Sequence, residues 1–120
     1  MEMTKEQFTA KLQTSLRTEE FLVPELGDSV TIRELSGTER DRVDARRIME
    51  QDKAAVLHDN SIYILSVALL GKDGKPLYTA DELRTHYESN RKLFRSIADR
   101  IVDLSDASPY VANKEELRKN

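Results

Sequence analysis

The chain has 120 residues, a formal net charge of −3 and no cysteine. Its length fits one domain with a modest core, since 38% of the residues are apolar. The lack of cysteine excludes disulfides and thiol chemistry, and the scattered charges and short apolar runs lead us to predict neither a nucleic acid nor a membrane as partner.

The first element is predicted to be a helix over residues 4–16. Thr4 and Gln7 have the spacing of a capping box, in which each side chain bonds the other residue's backbone N–H. Apolar side chains then recur every four residues, at Phe8, Leu12 and Leu16. We expect this face to dock on the rest of the protein. The N-terminus lacks the order of a signal peptide, so we expect a cytoplasmic protein.

Residues 19–35 are predicted to form a β-hairpin. Phe21 and Val23 alternate with their neighbours, and a turn surrounds Gly27. Val30 and Ile32 belong to the second alternating run, and we expect them on its buried face.

Residues 38–70 are predicted to be helical, because a capping box at Ser36–Glu39 precedes a long stretch without Gly or Pro. One helix or two are both compatible with the pattern, and we assign 38–56 and 60–70. The first is highly charged, whereas 62–70 is apolar nearly all round. A buried strand is the alternative for 62–70, but Ala68 and the leucines before Gly71 favour a helix.

Two further helices are predicted at 80–88 and 90–104, the second with the clearest apolar stripe of the chain. Residues 1–108 would then form a single globular domain, and the polar residues 109–120 a flexible tail. The predicted fold is α+β and mainly α, with an N-terminal hairpin packed against four to five helices.

We predict no catalytic, cofactor-binding or metal-binding residues. His58 and His86 are far apart in sequence and lack a ligand spacing. The turn at 71–76 lacks the spacer and the hydroxyl residue of a phosphate-binding loop. Four arginines between Arg40 and Arg47 offer the best case for a phosphate contact, yet the interleaved acids favour a solvated helix.

The order of these segments resembles a known family. An extended Phe-Leu-Val-Pro-Glu-Leu-Gly is followed by Val30–Gly37 running into Glu39-Arg40-Asp41, and Leu69–Tyr78 is followed by Asp81-Glu82-Leu83. With the closing Lys119-Asn120, residues 17–120 resemble the tail assembly chaperones of siphovirus, lambdoid-type bacteriophages, which have long, non-contractile tails.

This resemblance implies a protein of the infected host's cytoplasm that is absent from the mature virion. It implies binding to the tape measure protein, recruitment of the tail tube protein, self-association, and a longer form made by ribosomal frameshifting. The alternatives are a structural tail or connector protein of the virion and a small DNA-binding regulator using residues 36–70.

A chaperone of this kind needs exposed apolar side chains within a charged body. The candidates lie on the charged helix and the helix that follows it, and methionine suits an adaptable surface. The predicted partner-binding residues are Ile48, Met49, Val56, Leu57, Tyr63 and Leu69.

Overall fold

The computed structural model describes residues 2–107. They form a hairpin-based sheet covered by helices, which confirms the predicted α+β, mainly α fold. The elements in chain order are α1 (Lys5–Lys11), β1 (Thr18–Val23), β2 (Asp28–Arg33), α2 (Gly37–Met49), α3 (Lys53–Ala68), β3 (Leu69–Leu70) and α4 (Ala80–Asp106). The predicted tail at 109–120 lies outside the described residues.

The hairpin forms with the expected pairing. β1 and β2 are antiparallel, with Phe21 opposite Val30. Gly27 closes the turn with a φ of +65°, a left-handed conformation that favours glycine. Ile32 is fully buried and Val30 packs against the core, so the predicted inner face is confirmed.

The segment 38–70 contains two helices, but the break lies earlier than predicted. α2 ends at Met49, and α3 begins at Lys53. Asp52 is the N-cap of α3, because its carboxylate accepts the N–H groups of Ala54 and Ala55. The predicted bounds of 56 and 60 were wrong, because the cap that begins the second helix is Asp52.

The end of the apolar run is a short strand rather than helix. α3 stops at Ala68, and β3 adds to the free edge of β2, with Leu69 opposite Ile32 and Leu70 opposite Thr31. The predicted helix over 60–70 was therefore wrong for its last two residues. A free strand edge supplies backbone hydrogen bonds that local sequence does not reveal.

The core lies between the sheet, α3 and α4. The largest fully buried side chains that the helices contribute are Ile62, Leu65, Leu83 and Ile101. The predicted boundary between helices 80–88 and 90–104 falls at a kink within α4, where Asn90 is non-helical. The Asn90 amide donates to the carbonyl of His86 at 2.9 Å. No helix within residues 2–107 is long and apolar enough to cross a membrane.

The predicted docking of the first helix was wrong. α1 ends at Lys11 rather than at residue 16, and none of its residues is buried. Phe8 remains 54% exposed, and Leu12 and Leu16 are also exposed. The reason is local, since Leu12 adopts an extended conformation that takes Leu16 off the helical face. Two turns of helix then present too little apolar area to fix their position.

Candidate protein-binding surface

The six predicted partner-binding residues do not form one patch. Ile48 and Met49 are the most exposed large apolar residues described, at 81% and 82%, and Leu57 is also exposed. Tyr63 is partly buried, with the guanidinium of Arg42 4.1 Å above its ring.

Val56 and Leu69 belong to the interior. Val56 is only 4% exposed and Leu69 only 2%. Neither side chain is available to a partner in this fold, so both are removed from the predicted surface. Leu69 is covered because it lies in β3, paired with Ile32 of β2. The sequence had predicted Leu69 to be helical.

The first exposed apolar surface is the α2 tip, formed by Ile48 and Met49. Val43 is the residue that α2 buries, and each residue advances about 100° around a helix. Ile48 and Met49 therefore point away from the core. Arg46 lies beside them and forms a salt bridge with Asp59 of α3, which holds this end of α2 against α3.

The second exposed apolar surface is the N-terminal arm, residues 2–16. It presents four large apolar side chains to solvent, namely Met3, Phe8, Leu12 and Leu16. Sequence reasoning found the periodicity of three of them but assigned it to a buried face. Neither Gly nor Pro directly follows Lys11 in the sequence, so no local signal marks the break that leaves these side chains exposed.

The base of the arm is fixed even though α1 buries none of its residues. Glu34, which is nearly buried, accepts the backbone N–H and the guanidinium of Arg17 and the amide of Gln13. Arg17 also donates to the carbonyl of Leu104 at 2.9 Å. The root of the arm is thus bonded to both the sheet and α4.

A third feature is a groove of about 460 Å³ between α2, α3 and α4, which we call the three-helix groove. Its apolar lining comes from Val43, Leu57, Ile64, Ala98 and Val102. Arg40 and Arg47 of α2 line one side, and Asp99 and Asp103 of α4 the other. Leu57 is the one predicted partner-binding residue that lines it.

Ion pairs engage several of the charges near α2. Arg33 of β2 donates twice to the carboxylate of Glu39, at 2.8 and 3.0 Å. These bonds lower the pKa of Glu39 to about 2, and the hydrogen bond from the backbone N–H of Ser36 makes a smaller contribution in the same direction. Arg40 pairs with Asp44, which lies one helical turn further along α2, at 3.4 Å. Since Arg46 is paired and Arg42 covers Tyr63, the arginines of α2 do not form an open row of cations.

Neither His58 nor His86 belongs to a group of metal-ligating side chains among the described residues. No group of three or more metal-ligating side chains occurs within residues 2–107. His58 packs edge-on against Tyr87, whereas His86 lies beside Tyr78. A cavity of about 510 Å³ is lined by charged residues of α4 together with Phe21 and Ser96, and neither histidine lines it.

Comparisons with known proteins agree with the resemblance seen in the sequence. No protein-family model and no curated protein matches the chain. Among solved structures, the tail assembly chaperone of bacteriophage HK97 superposes with a TM-score of 0.59 and 22% sequence identity, covering 82% of this chain and 97% of that one. The chain therefore has the fold of a phage tail assembly chaperone.

Proposed function

We propose that this protein is a phage tail assembly chaperone that acts by binding another polypeptide rather than by catalysis. The observation that carries the proposal is the shared fold over almost the whole HK97 chaperone. The exposed apolar side chains of the α2 tip and the N-terminal arm support it. Large apolar residues this exposed are typical of surfaces that bind other proteins.

The strength expected of these surfaces fits reversible binding. Full burial of one Ile, Met, Leu or Phe side chain contributes about 1.5–3 kcal/mol. Association itself costs about 4–15 kcal/mol, so the two side chains of the α2 tip are insufficient alone. Together with the arm they supply enough apolar area for a complex that forms and later comes apart.

The client we propose is the tape measure protein, with recruitment of tail tube subunits as the following step. A long chain that exposes apolar helical surface needs to be covered until the tube encloses it, and flexible methionine side chains suit such a task. We place this activity in the cytoplasm of the infected host. The frameshifted longer form implied by the resemblance would continue from the C-terminal side of α4.

Co-expression with the tape measure protein of the same phage tests the proposal. We expect the wild-type chain to raise the soluble fraction of the tape measure protein severalfold. The double variant Ile48→Asp/Met49→Asp should lose most of this effect while keeping its thermal unfolding midpoint, because both side chains are solvent-exposed.

The matched control is Leu22→Asp/Leu26→Asp, which places the same two charges on exposed apolar residues of the hairpin. It should keep the client soluble. If the wild-type chain leaves the tape measure protein insoluble, the proposed function is wrong. If only the hairpin variant fails, the α2 tip is not the client-binding surface.

A further inference from the structure

The three-helix groove has walls of opposite charge. Arg40 and Arg47 stand on the α2 side, and Asp99 and Asp103 stand on the α4 side. Between them the lining is apolar, with Leu57 exposed and Val102 partly buried. A groove of this kind can bury apolar side chains of a ligand along its floor. One edge attracts acidic groups of the ligand and the other attracts basic groups.

Three of the four wall charges, those of Arg47, Asp99 and Asp103, form no salt bridge within the described chain, although Asp103 lies near enough to Arg100 for the two opposite charges to attract each other. Arg40 makes two long contacts, 3.4 Å to Asp44 and 3.5 Å to Asp106, and its Nη1 has no acceptor among residues 2–107. Charges near an apolar surface and without partners favour a ligand that supplies the opposite charges.

The form of the groove selects a helix as its ligand. All three bordering elements are helices, whose backbone groups are bonded internally, so they offer no strand edge for an extended peptide to join. A volume of about 460 Å³ holds several side chains but not a whole helix, which is about 10–12 Å across. The ligand that fits lays one apolar face on the floor.

We propose that the three-helix groove binds an amphipathic helix of a partner protein that carries acidic residues along one flank and basic residues along the other. The acidic flank lies against Arg40 and Arg47, and the basic flank lies against Asp99 and Asp103. The proposal rests on the proposed function, in that this helix belongs to the client. If the bound helix were turned end to end with the same face on the floor, its acidic flank would lie against Asp99 and Asp103. The charged walls therefore also determine the N-to-C direction in which the client helix binds.

Synthetic peptides test this directly. Three labelled helical peptides of about 18 residues, or five turns, share one Leu-rich face and differ in their flanks: Glu on one and Lys on the other, Glu on both, or Lys on both. Fluorescence anisotropy at low ionic strength should show the split peptide binding the full chain about tenfold more tightly than the others. Equal affinities, or a preference for either single-sign peptide, would overturn the proposal.

A charge reversal provides the second arm. Asp99→Lys/Asp103→Lys makes both walls basic, so the preference should move to the peptide with Glu on both flanks. Glu25→Lys/Glu88→Lys changes the net charge by the same amount at exposed positions outside the groove and should keep the preference for the split peptide. If both variants shift alike, net charge rather than the groove determines binding, and the inference is wrong.

The outcomes separate this inference from the proposed function. If the wild-type chain keeps the tape measure protein soluble but shows no preference for the split peptide, the groove inference fails and the chaperone proposal stands. If the peptide preference is present while the tape measure protein stays insoluble, the groove is a helix-binding site and the chaperone proposal fails.

Discussion

Glu39 connects the hairpin to the helices. Its carboxylate accepts a hydrogen bond from the backbone N–H of Ser36 at 2.8 Å and one from each terminal nitrogen of the Arg33 guanidinium. One side chain therefore completes the N-terminal cap of α2 and holds β2 against it. The capping box could be predicted because its partners are three residues apart, whereas the pairing with Arg33 could not, since it depends on how β2 packs against α2.

This pair predicts an acid-sensitive contribution to stability. The pKa of Glu39 is lowered from 4.5 to about 2 by its bonds to Arg33. Its contribution is therefore complete above the unfolded-state pKa and is lost as the pH falls toward 2. We expect Glu39→Gln to lower the free energy of unfolding by about 1.5–3 kcal/mol near neutral pH and to flatten the loss of stability on acidification below pH 4.5.

Urea unfolding across this pH range measures both effects. Glu88→Gln is the matched control, because Glu88 is an exposed residue of α4. It should leave the free energy of unfolding and its pH dependence unchanged. An acid sensitivity of Glu39→Gln equal to that of the wild type would show that the pair with Arg33 contributes nothing.

At the scale of elements, α1 is separable from the fold. It buries none of its side chains, while Gln13 and Arg17, which hold the base of the arm, follow it in sequence. We expect deletion of residues 2–11 to change the unfolding free energy by less than about 0.5 kcal/mol, as for other surface changes. Calorimetry measures this, and co-expression with the tape measure protein should show a loss of client solubility.

Substitution of Phe8 and Leu12 by Ser is the control for this deletion, since it removes the apolar side chains but keeps the helix in place. It should reproduce the loss of client solubility. A fall in the unfolding midpoint of the deletion variant by more than about 8 °C would show that α1 packs on the fold, contrary to the structure.

Elements whose signals are local could be predicted from the sequence. The hairpin was identified by alternation around Gly27, and the apolar stripe of α4 by its period. β3 was missed because the two leucines extend only to pair with β2, which is distant in sequence. α1 was misjudged because a period shows that a face is apolar and does not show what covers it.

At the scale of the whole molecule, the described chain is extended for its size. Its radius of gyration is 16.9 Å, whereas a compact domain of this length has about 13 Å. The exposed arm is consistent with this value. The three-helix groove could not be predicted, because its charged walls come from residues 40–47 and 99–103 and meet only after folding.

The proposed function predicts where the protein is found after assembly. A chaperone leaves before the tail is complete, whereas a structural tail or connector protein remains. We expect mass spectrometry of purified phage particles to detect the tail tube protein and to find this chain in less than stoichiometric amount per tail. A fixed number of copies per particle would favour the virion component instead.

The bonds from Arg17 to Glu34 and to the carbonyl of Leu104 also bear on how the protein can be labelled. They place the root of the arm beside the last turn of α4, so Ala107 lies close to the base of the arm. A fluorescent protein joined directly to Ala107 would crowd the arm and weaken client capture. Insertion at the exposed Lys72–Asp73 turn, away from this corner, should leave it intact.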